Sequence, residues 1–341
     1  MKSLNYIGSK RTLIDFLKSS IDETIPNKKD YTFCDLFAGT GIVGFTIGKE
    51  FNSIITNDLE YYSFVINNGL YVPFTSFLRD QIDYLNKIAD TEENKGDGYV
   101  SENYSEPRLF FTKDNTRRID VIRSELNNMF NKNTINEKQF YFLLGSLIVS
   151  ADKVSNTASV YGAYLKKFKA SALKKLKIEP LHESTDDIKH LVMNCDVNYI
   201  DEYKEVEDKN FDVIYLDPPY NNRQYGANYC PLNYIAHYDN NISVKGKTGL
   251  IDNYNKSSFC KKKGLNEVFD ELIGKLVKKS AKYIFISYND EGLLTIKELR
   301  EILQKYGSVE LKEKKYKRFK SYIEDKSNET VQELLWCLKV M

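Results

Sequence analysis

Residues 217–220 read Asp-Pro-Pro-Tyr and directly follow an apolar run that starts at Phe211 (FDVIYLD). A tight turn after a strand needs at most one proline, so the second asks for a chemical reason. Proline has a fixed φ and no N–H to donate. Because Pro219 lacks that N–H, the carbonyl of Pro218 has fewer local partners and is held stiff and exposed. Asp217 and this carbonyl can then both accept hydrogen bonds from one NH2 group, while Tyr220 offers a flat face to a ring. The four residues suit a planar amine; the plainer reading is a rigid cap on a strand end.

A second stretch, DLFAGTGIVG, begins at Asp35. Glycines at 39, 41 and 44 let the backbone approach a ligand, and a helix N-terminus behind them favours a polar or anionic group. Phe37-Ala38-Gly39-Thr40-Gly41 is FxGxG preceded by Asp35, which departs from the dinucleotide pattern. It looks like the S-adenosylmethionine loop of class I methyltransferases. Alone, such a loop also serves as a simple strand-to-helix turn. Asp58, in ITNDLE, falls at the end of the next strand, where a ribose hydroxyl pair would be accepted.

The elements that must position these residues follow from periodicity. YTFCDLFAGTG from Tyr31, GIVGFTIGKEF and SIITNDL from Ser53 read as strand, Gly turn, helix and strand, a βαβ start on a parallel sheet. HLVMNCDVNYI from His190, FDVIYLD and AKYIFISY from Ala281 read as further buried strands. SVELKEKKYKRF from Ser308 and VQELLWCLKV from Val331 alternate like an antiparallel hairpin. Between them the pattern changes. An acidic, Gly-containing stretch (ADTEENKGDGYVSENYSE) precedes helical signals in TRRIDVIRSELNNMF and EKQFYFLLGSLIVSADKV, and a lysine-rich stretch follows. The expected organisation is a discontinuous catalytic domain, 1–70 and 184–341, with an inserted, mostly helical domain at 71–183.

Bulk numbers narrow the class. The 341 residues carry 28% charged and 42% hydrophobic side chains, an ordinary globular composition. Lys+Arg 49 against Asp+Glu 48 leaves a net charge of +1, so a nucleic-acid surface requires segregated charge. No run of the sequence has a membrane span's length and apolarity, and MKSLNYIGSKR lacks a signal-peptide core. Five scattered cysteines and three scattered histidines show no metal spacing, so the expectation is a reduced cytoplasmic protein without a structural metal.

Taken together, NYIGSKR (Asn5–Arg11), DLFAGTG, a central recognition region and DPPY, in that order, resemble the DNA adenine-N6 methyltransferases of the Dam-like, alpha-ordered group, including those of type II restriction–modification systems. The resemblance covers nearly the whole chain, loosely in the insertion and closely in the motifs. It implies an α/β fold, the Rossmann-like class I S-adenosylmethionine-dependent methyltransferase sheet, with the inserted domain recognising the target. It implies S-adenosyl-L-methionine as cofactor and double-stranded DNA as partner. A cognate restriction endonuclease would act separately, and the enzyme would be a monomer or weak dimer. Tyr6 and Lys10 would contact the cofactor, Phe37, Gly39 and Gly41 would line its methionine part beside Asp35, and Asp58 would bind the ribose. Asp196 would lie near the cofactor adenine, with Asp201 as the alternative. Asp217, Pro218, Pro219 and Tyr220 would be catalytic.

Relatives that methylate cytosine N4 usually carry Ser in place of this Asp, and those acting on glutamine or some RNA adenines often carry Asn. A catalytically silent nucleic-acid-binding relative is the rival from another class; the complete motif set argues against it. From Lys153 to Lys177 there are seven lysines, against acids only at Asp152 and Glu179. Such segregation points to phosphate contact by Lys166, Lys167 and Lys169, although most lysine-rich faces are simply solvated. Arg117, Arg118 and Arg123 lie on an expected helix from which any could reach guanine edges or phosphates. KYKRFK at 315–320 is a further candidate phosphate strip.

Overall fold

A computed structural model describes residue 4 and residues 8–91, 97–317 and 330–341. In chain order its elements begin with helix α1 (Ile14–Thr24), strand β1 (Thr32–Asp35), the short helix α2 (Ile42–Thr46) and strand β2 (Ser53–Asn57). Helices α3 (Tyr61–Leu70), α4 (Ser76–Thr91), α5 (Tyr99–Tyr104), α6 (Lys113–Asn131) and α7 (Glu137–Lys153) follow. Next come β3 (His190–Met193), β4 (Val213–Leu216), α8 (Tyr225–Asn228), α9 (Cys230–His237) and a small ribbon of β5 (Val244–Lys245) and β6 (Leu250–Ile251). The last are α10 (Leu265–Lys278), β7 (Tyr283–Asn289), α11 (Ile296–Leu303), β8 (Gly307–Lys317) and β9 (Thr330–Val340). Among the described residues no helix is long and apolar enough to cross a membrane.

The elements divide into two compact units. The first, Gly8–Leu59 with Ile188–Gln224 and Lys256–Met341, holds a seven-stranded sheet ordered β3-β2-β1-β4-β7-β9-β8. Strands β3, β2, β1, β4 and β7 are parallel, and β9 runs antiparallel between β7 and β8. Each strand expected from the sequence is present, including the antiparallel pair near the C-terminus. The period of two in the strands sends alternate residues to opposite faces. Phe33, Val213, Tyr215, Phe285 and Leu335 pack with Leu17 and Ile21 of α1 and Val43 of α2. Their neighbours Cys34, Ile214, Leu216, Ile284, Ile286 and Trp336 pack with Phe269 and Leu272 of α10 and Leu299 of α11. Burial on both faces explains why these strands are continuous apolar runs rather than alternating ones. This is the class I methyltransferase sheet. The strand order reverses between β1 and β4, which opens a crevice at their C-terminal ends.

The second unit comprises Glu60–Asp187 and Tyr225–Asn255. It is wider than the 71–183 drawn from the sequence: α3 belongs to it, and a segment from after β4 returns to it. Tertiary hydrogen bonds account for that return. The backbone N–H of Tyr62 donates to Asn233 Oδ1 (3.0 Å), and Arg123 Nε donates to the carbonyl of Ile235 (2.9 Å). Helix α7 opens with a capping box, Asn136 and Gln139, and is buried without interruption from Phe142 to Asp152. A helix apolar on all sides belongs in a core, as α7 does.

Residues 154–189 contain no helix or strand. The lysine-rich part is an irregular strap whose backbone is satisfied by side chains of the helices beside it. Asn115 donates to the carbonyls of Ala172 (3.3 Å) and Lys174 (2.9 Å) and accepts from the N–H of Leu176 (2.8 Å). Asn86 does the same for both backbone groups of Ile178, at 3.0 and 2.8 Å. Arg118 completes the clamp, with Nε on the carbonyl of Leu176 (2.9 Å) and Nη1 on the carbonyl of Ala89 (2.9 Å) and on Asp90 (2.7 Å).

These contacts correct two expectations. Arg118 is only 2% exposed and its donors are committed to the strap and α4, so it is a buried brace rather than a DNA contact. Lys169 turns inward, its Nζ donates to the carbonyl of Thr157 (2.6 Å), and burial lowers its pKa below the ordinary lysine value. Arg123 is buried against α9 in the same way. Arg117 is partly exposed and paired with Asp97 at 2.8 Å. We therefore expect Arg118→Met to lower stability by about 3 kcal/mol, because it strands buried carbonyls, while DNA affinity of the folded protein stays within twofold. Urea unfolding and fluorescence anisotropy check this; a variant of wild-type stability that binds DNA poorly would restore the contact role.

Candidate active site

Two loops leave the sheet side by side at the order reversal. Strand β1 pairs with β4 so that Asp35 lies opposite Tyr215, and the Leu36 N–H donates to the Tyr215 carbonyl at 3.1 Å. The chain then enters the glycine loop from β1 and 217–220 from β4. Gly39 has φ 50° and Gly41 φ 75°, left-handed values that L side chains resist. Three bonds fix the loop: Gly41 N–H to Ala38 carbonyl (2.8 Å), Ala38 N–H to Asn57 carbonyl (2.9 Å) and Gly39 N–H to Asp58 Oδ2 (2.7 Å). The Asn57 side chain ties three strand ends together, donating to the carbonyls of Leu36 (3.3 Å) and Cys195 (3.1 Å). It also accepts from the Cys195 N–H at 3.1 Å.

On the β4 side, Asp217 is engaged by two donors on one oxygen. Lys10 Nζ is 2.8 Å from Oδ1, and the Tyr220 hydroxyl donates to the same atom. Lys10 Nζ also donates to the Tyr220 hydroxyl oxygen at 2.6 Å and lies 4.9 Å from the centre of its ring. Lys10 is 3% exposed and Asp217 19%. Burial, and then the charge of Asp217, holds the Tyr220 phenol well above its usual range, so it remains a donor. The ring stands edge-on to Tyr288 at 5.1 Å, and the Tyr220 carbonyl accepts from the N–H of Leu293 (3.1 Å).

Other expected site residues fall around the same crevice. Phe37 is half-buried and edge-on to Phe259 at 5.1 Å. Asp58 follows β2 directly and Asp196 follows β3 after two residues. Asp196 Oδ1 accepts from the N–H and side-chain amide of Asn198, at 3.0 and 2.7 Å. Asp201 is instead paired with Lys275 at 3.1 Å. Tyr6 and residues 318–320 of the basic strip lie outside the described residues. Asp35 is buried, and its Oδ2 accepts from the Gly44 N–H at 3.1 Å. Its Oδ1 has no hydrogen-bond partner among the described residues. Burial pushes the Asp35 carboxyl up to about 8, opposed by the Gly44 bond and reinforced by the charges of Asp217 and Asp58.

Sequence reasoning missed Glu333 on β9. It is fully buried, and its Oε1 lies 3.4 Å from Lys10 Nζ. Burial raises its carboxyl above the ordinary value, and the Lys10 charge opposes the rise. Its signal in the sequence was a lone acid in the apolar strand VQELLWCLKV.

Comparison with known proteins decides the family. The model for D12 class N6 adenine-specific DNA methyltransferases matches residues 6–302. The chain belongs to that family. It is 40% identical over 325 residues to the type II methyltransferase M.NlaIII of Neisseria lactamica, covering 93% of each chain. It is also 40% identical over 343 residues to M.CviAII of Paramecium bursaria Chlorella virus 1, covering 98% of each. It is 33% identical to M.FokI of Planomicrobium okeanokoites over 98% of this chain and 53% of that one.

As a D12 methyltransferase the protein transfers a methyl group from S-adenosylmethionine to N6 of adenine in DNA. The crevice fits that donor, a cationic sulfonium. The carboxyls of Asp58 and Asp217 and glycine backbone in left-handed conformation border it, and an orphaned carboxyl oxygen of Asp35, whose pKa those two charges help to raise, lies buried behind the loop. Asp35 also makes stability depend on pH. Its folded pKa is raised from 3.8 to about 8, so its contribution is most favourable below about 4 and is lost as pH rises toward 8. Asp35→Asn removes this titration. We expect the variant to gain stability relative to the parent steadily between pH 5 and 8, measured as urea midpoints; parallel curves would contradict it.

Proposed function

We propose that Asp217 and the Pro218 carbonyl clamp the N6 amine of an adenine turned out of the duplex. The observation that carries this reading is the asymmetry at Asp217. Both of its donors fall on Oδ1, and no donor among the described residues reaches Oδ2. One oxygen is anchored and the other is left to accept. Adenine's amine is a poor nucleophile because its lone pair is delocalised into the ring. Acceptors at Oδ2 and at the Pro218 carbonyl localise that pair and aim it, so positioning and electrostatics supply the rate. When bound, S-adenosylmethionine supplies a methyl group that is already activated. Phe37, Gly39, Gly41, Asp58 and Asp196 would hold it, with Asp35 behind the loop, and Pro219 keeps the turn rigid.

Inside a duplex N6 is out of reach, so the base must flip, and the Tyr220 ring would replace its stacking partners. Stacking on an aromatic is worth about 1–3 kcal/mol per base, comparable with the unstacking cost. The Tyr220 hydroxyl adds a second task, anchoring Asp217. In the helical unit Lys166, Lys167, Lys174 and Lys177 are exposed, with no carboxylate partner among the described residues. We assign them to DNA phosphates and this unit to target recognition. Because its relatives are named type II methyltransferases, we read the protein as the modification enzyme of such a system, with any cognate endonuclease acting separately.

Asp217→Ala should retain the fold and lose a charged acceptor from a preorganised site, about 3 kcal/mol or a hundredfold in rate. Tritiated-methyl transfer measures it, and near-wild-type activity would refute the clamp. Tyr220→Phe should keep the fluorescence rise of 2-aminopurine placed at the target yet slow transfer about tenfold, as expected for a lost hydrogen bond to a charged group. Tyr220→Ala should lose both; an unchanged signal there would exclude stacking. Alanine at Lys166, Lys167, Lys174 and Lys177 together should weaken binding to every DNA sequence alike. The slope of log affinity against log salt should fall by about 0.9 for each phosphate contact removed. A changed methylated motif in sequencing of modified DNA would instead make these lysines base readers.

A further inference from the structure

Glu333 occupies β9 between Gln332 and the run Leu334, Leu335, Trp336, paired with Asn289 of β7 and Lys314 of β8. It is 0% exposed, and neither carboxylate oxygen makes a hydrogen bond of good geometry among the described residues. Lys10 lies within ion-pair distance, its Nζ 3.4 Å from Oε1. That ammonium sits 2.8 Å from Asp217 Oδ1. One buried cation is therefore shared by two carboxylates. Removing a carboxylate from water is costly, and an apolar residue of similar volume often serves stability as well or better. An acid retained at this point of an apolar strand calls for a role that packing does not supply.

We propose that Glu333 is a positioning residue for methyl transfer: as a second anion on the Lys10 ammonium, it keeps that cation on Asp217 Oδ1 and off Oδ2. The inference rests on the clamp reading of Asp217. Without Glu333, Asp217 is the one carboxylate among the described residues within ion-pair distance of the Lys10 ammonium, and Lys10 can shift to bridge both of its oxygens. It would then occupy the acceptor that the substrate amine needs. Glu333 thus acts through Lys10 and does not touch the substrate.

The test is a kinetic cycle on the full chain with tritiated S-adenosylmethionine and duplex DNA. Glu333→Gln, close in shape and uncharged, should lower kcat about tenfold while KM for DNA and for S-adenosylmethionine stays within about twofold. Glu333→Asp should recover part of the loss. In a Lys10→Met background, Glu333→Gln should have no further effect on kcat, because the group it acts through is gone. Wild-type kcat in Glu333→Gln, or a loss that multiplies with that of Lys10→Met, overturns the proposal. If Glu333→Gln does not fold, Glu333→Asp in both backgrounds carries the same comparison. Asp217→Ala separates the two readings. If it is inactive while Glu333→Gln is normal, only the role of Glu333 fails. If it is active, the clamp fails and this inference with it.

Discussion

Placing the Lys10 ammonium in a nearly dry site costs several kcal/mol of hydration, and only close anions and dipoles offset that. Asp217 and the Tyr220 hydroxyl, from the turn after β4, and Glu333, from β9, provide them. The order of the strands makes the meeting possible. Strand β4 delivers 217–220 next to the loop from β1, and β9 enters the sheet beside β7, the neighbour of β4. A terminal strand added at the sheet edge would have left Glu333 farther from the crevice. The antiparallel insertion of β9 is thus part of the site.

Much of the fold was legible because burial leaves a trace in sequence. The strands read as short apolar runs, and such runs need cover on both faces; the hairpin read as alternation. The crevice was legible from two punctuated strand ends, a glycine loop and a double proline. What local pattern could not show were the partners that side chains find across the fold. Arg118 lies on an amphipathic helix and looked solvent-facing, but the strap of residues 170–178 covers that face. Lys169 looked like its neighbours in a lysine run, yet an irregular backbone turned it inward. The return of 225–255 to the helical unit rests on bonds such as that between Tyr62 and Asn233, which have no local signature.

Tyr220 illustrates how one residue type can hide two roles. Its ring was read from the sequence as a stacking surface, and stacking uses only the aromatic face. The geometry adds the hydroxyl, which shares Oδ1 of Asp217 with Lys10. A side chain fixed at its polar end, with Tyr288 against its edge, has little rotamer freedom left to lose on binding, which suits the stacking role proposed for it.

The strap has a different kind of consequence. Its backbone bonds come from Asn86, Asn115 and Arg118, on helices behind it, and from Ser150, which accepts from the N–H of Glu179. Its outward residues therefore carry almost no structural duty. In a regular helix or strand each exposed position still answers to propensity and to neighbours one turn or one rung away. Here the outward positions can drift in sequence while the path of the chain stays put. The strap is thus a surface on which variation is tolerated, fastened to a frame on which it is not.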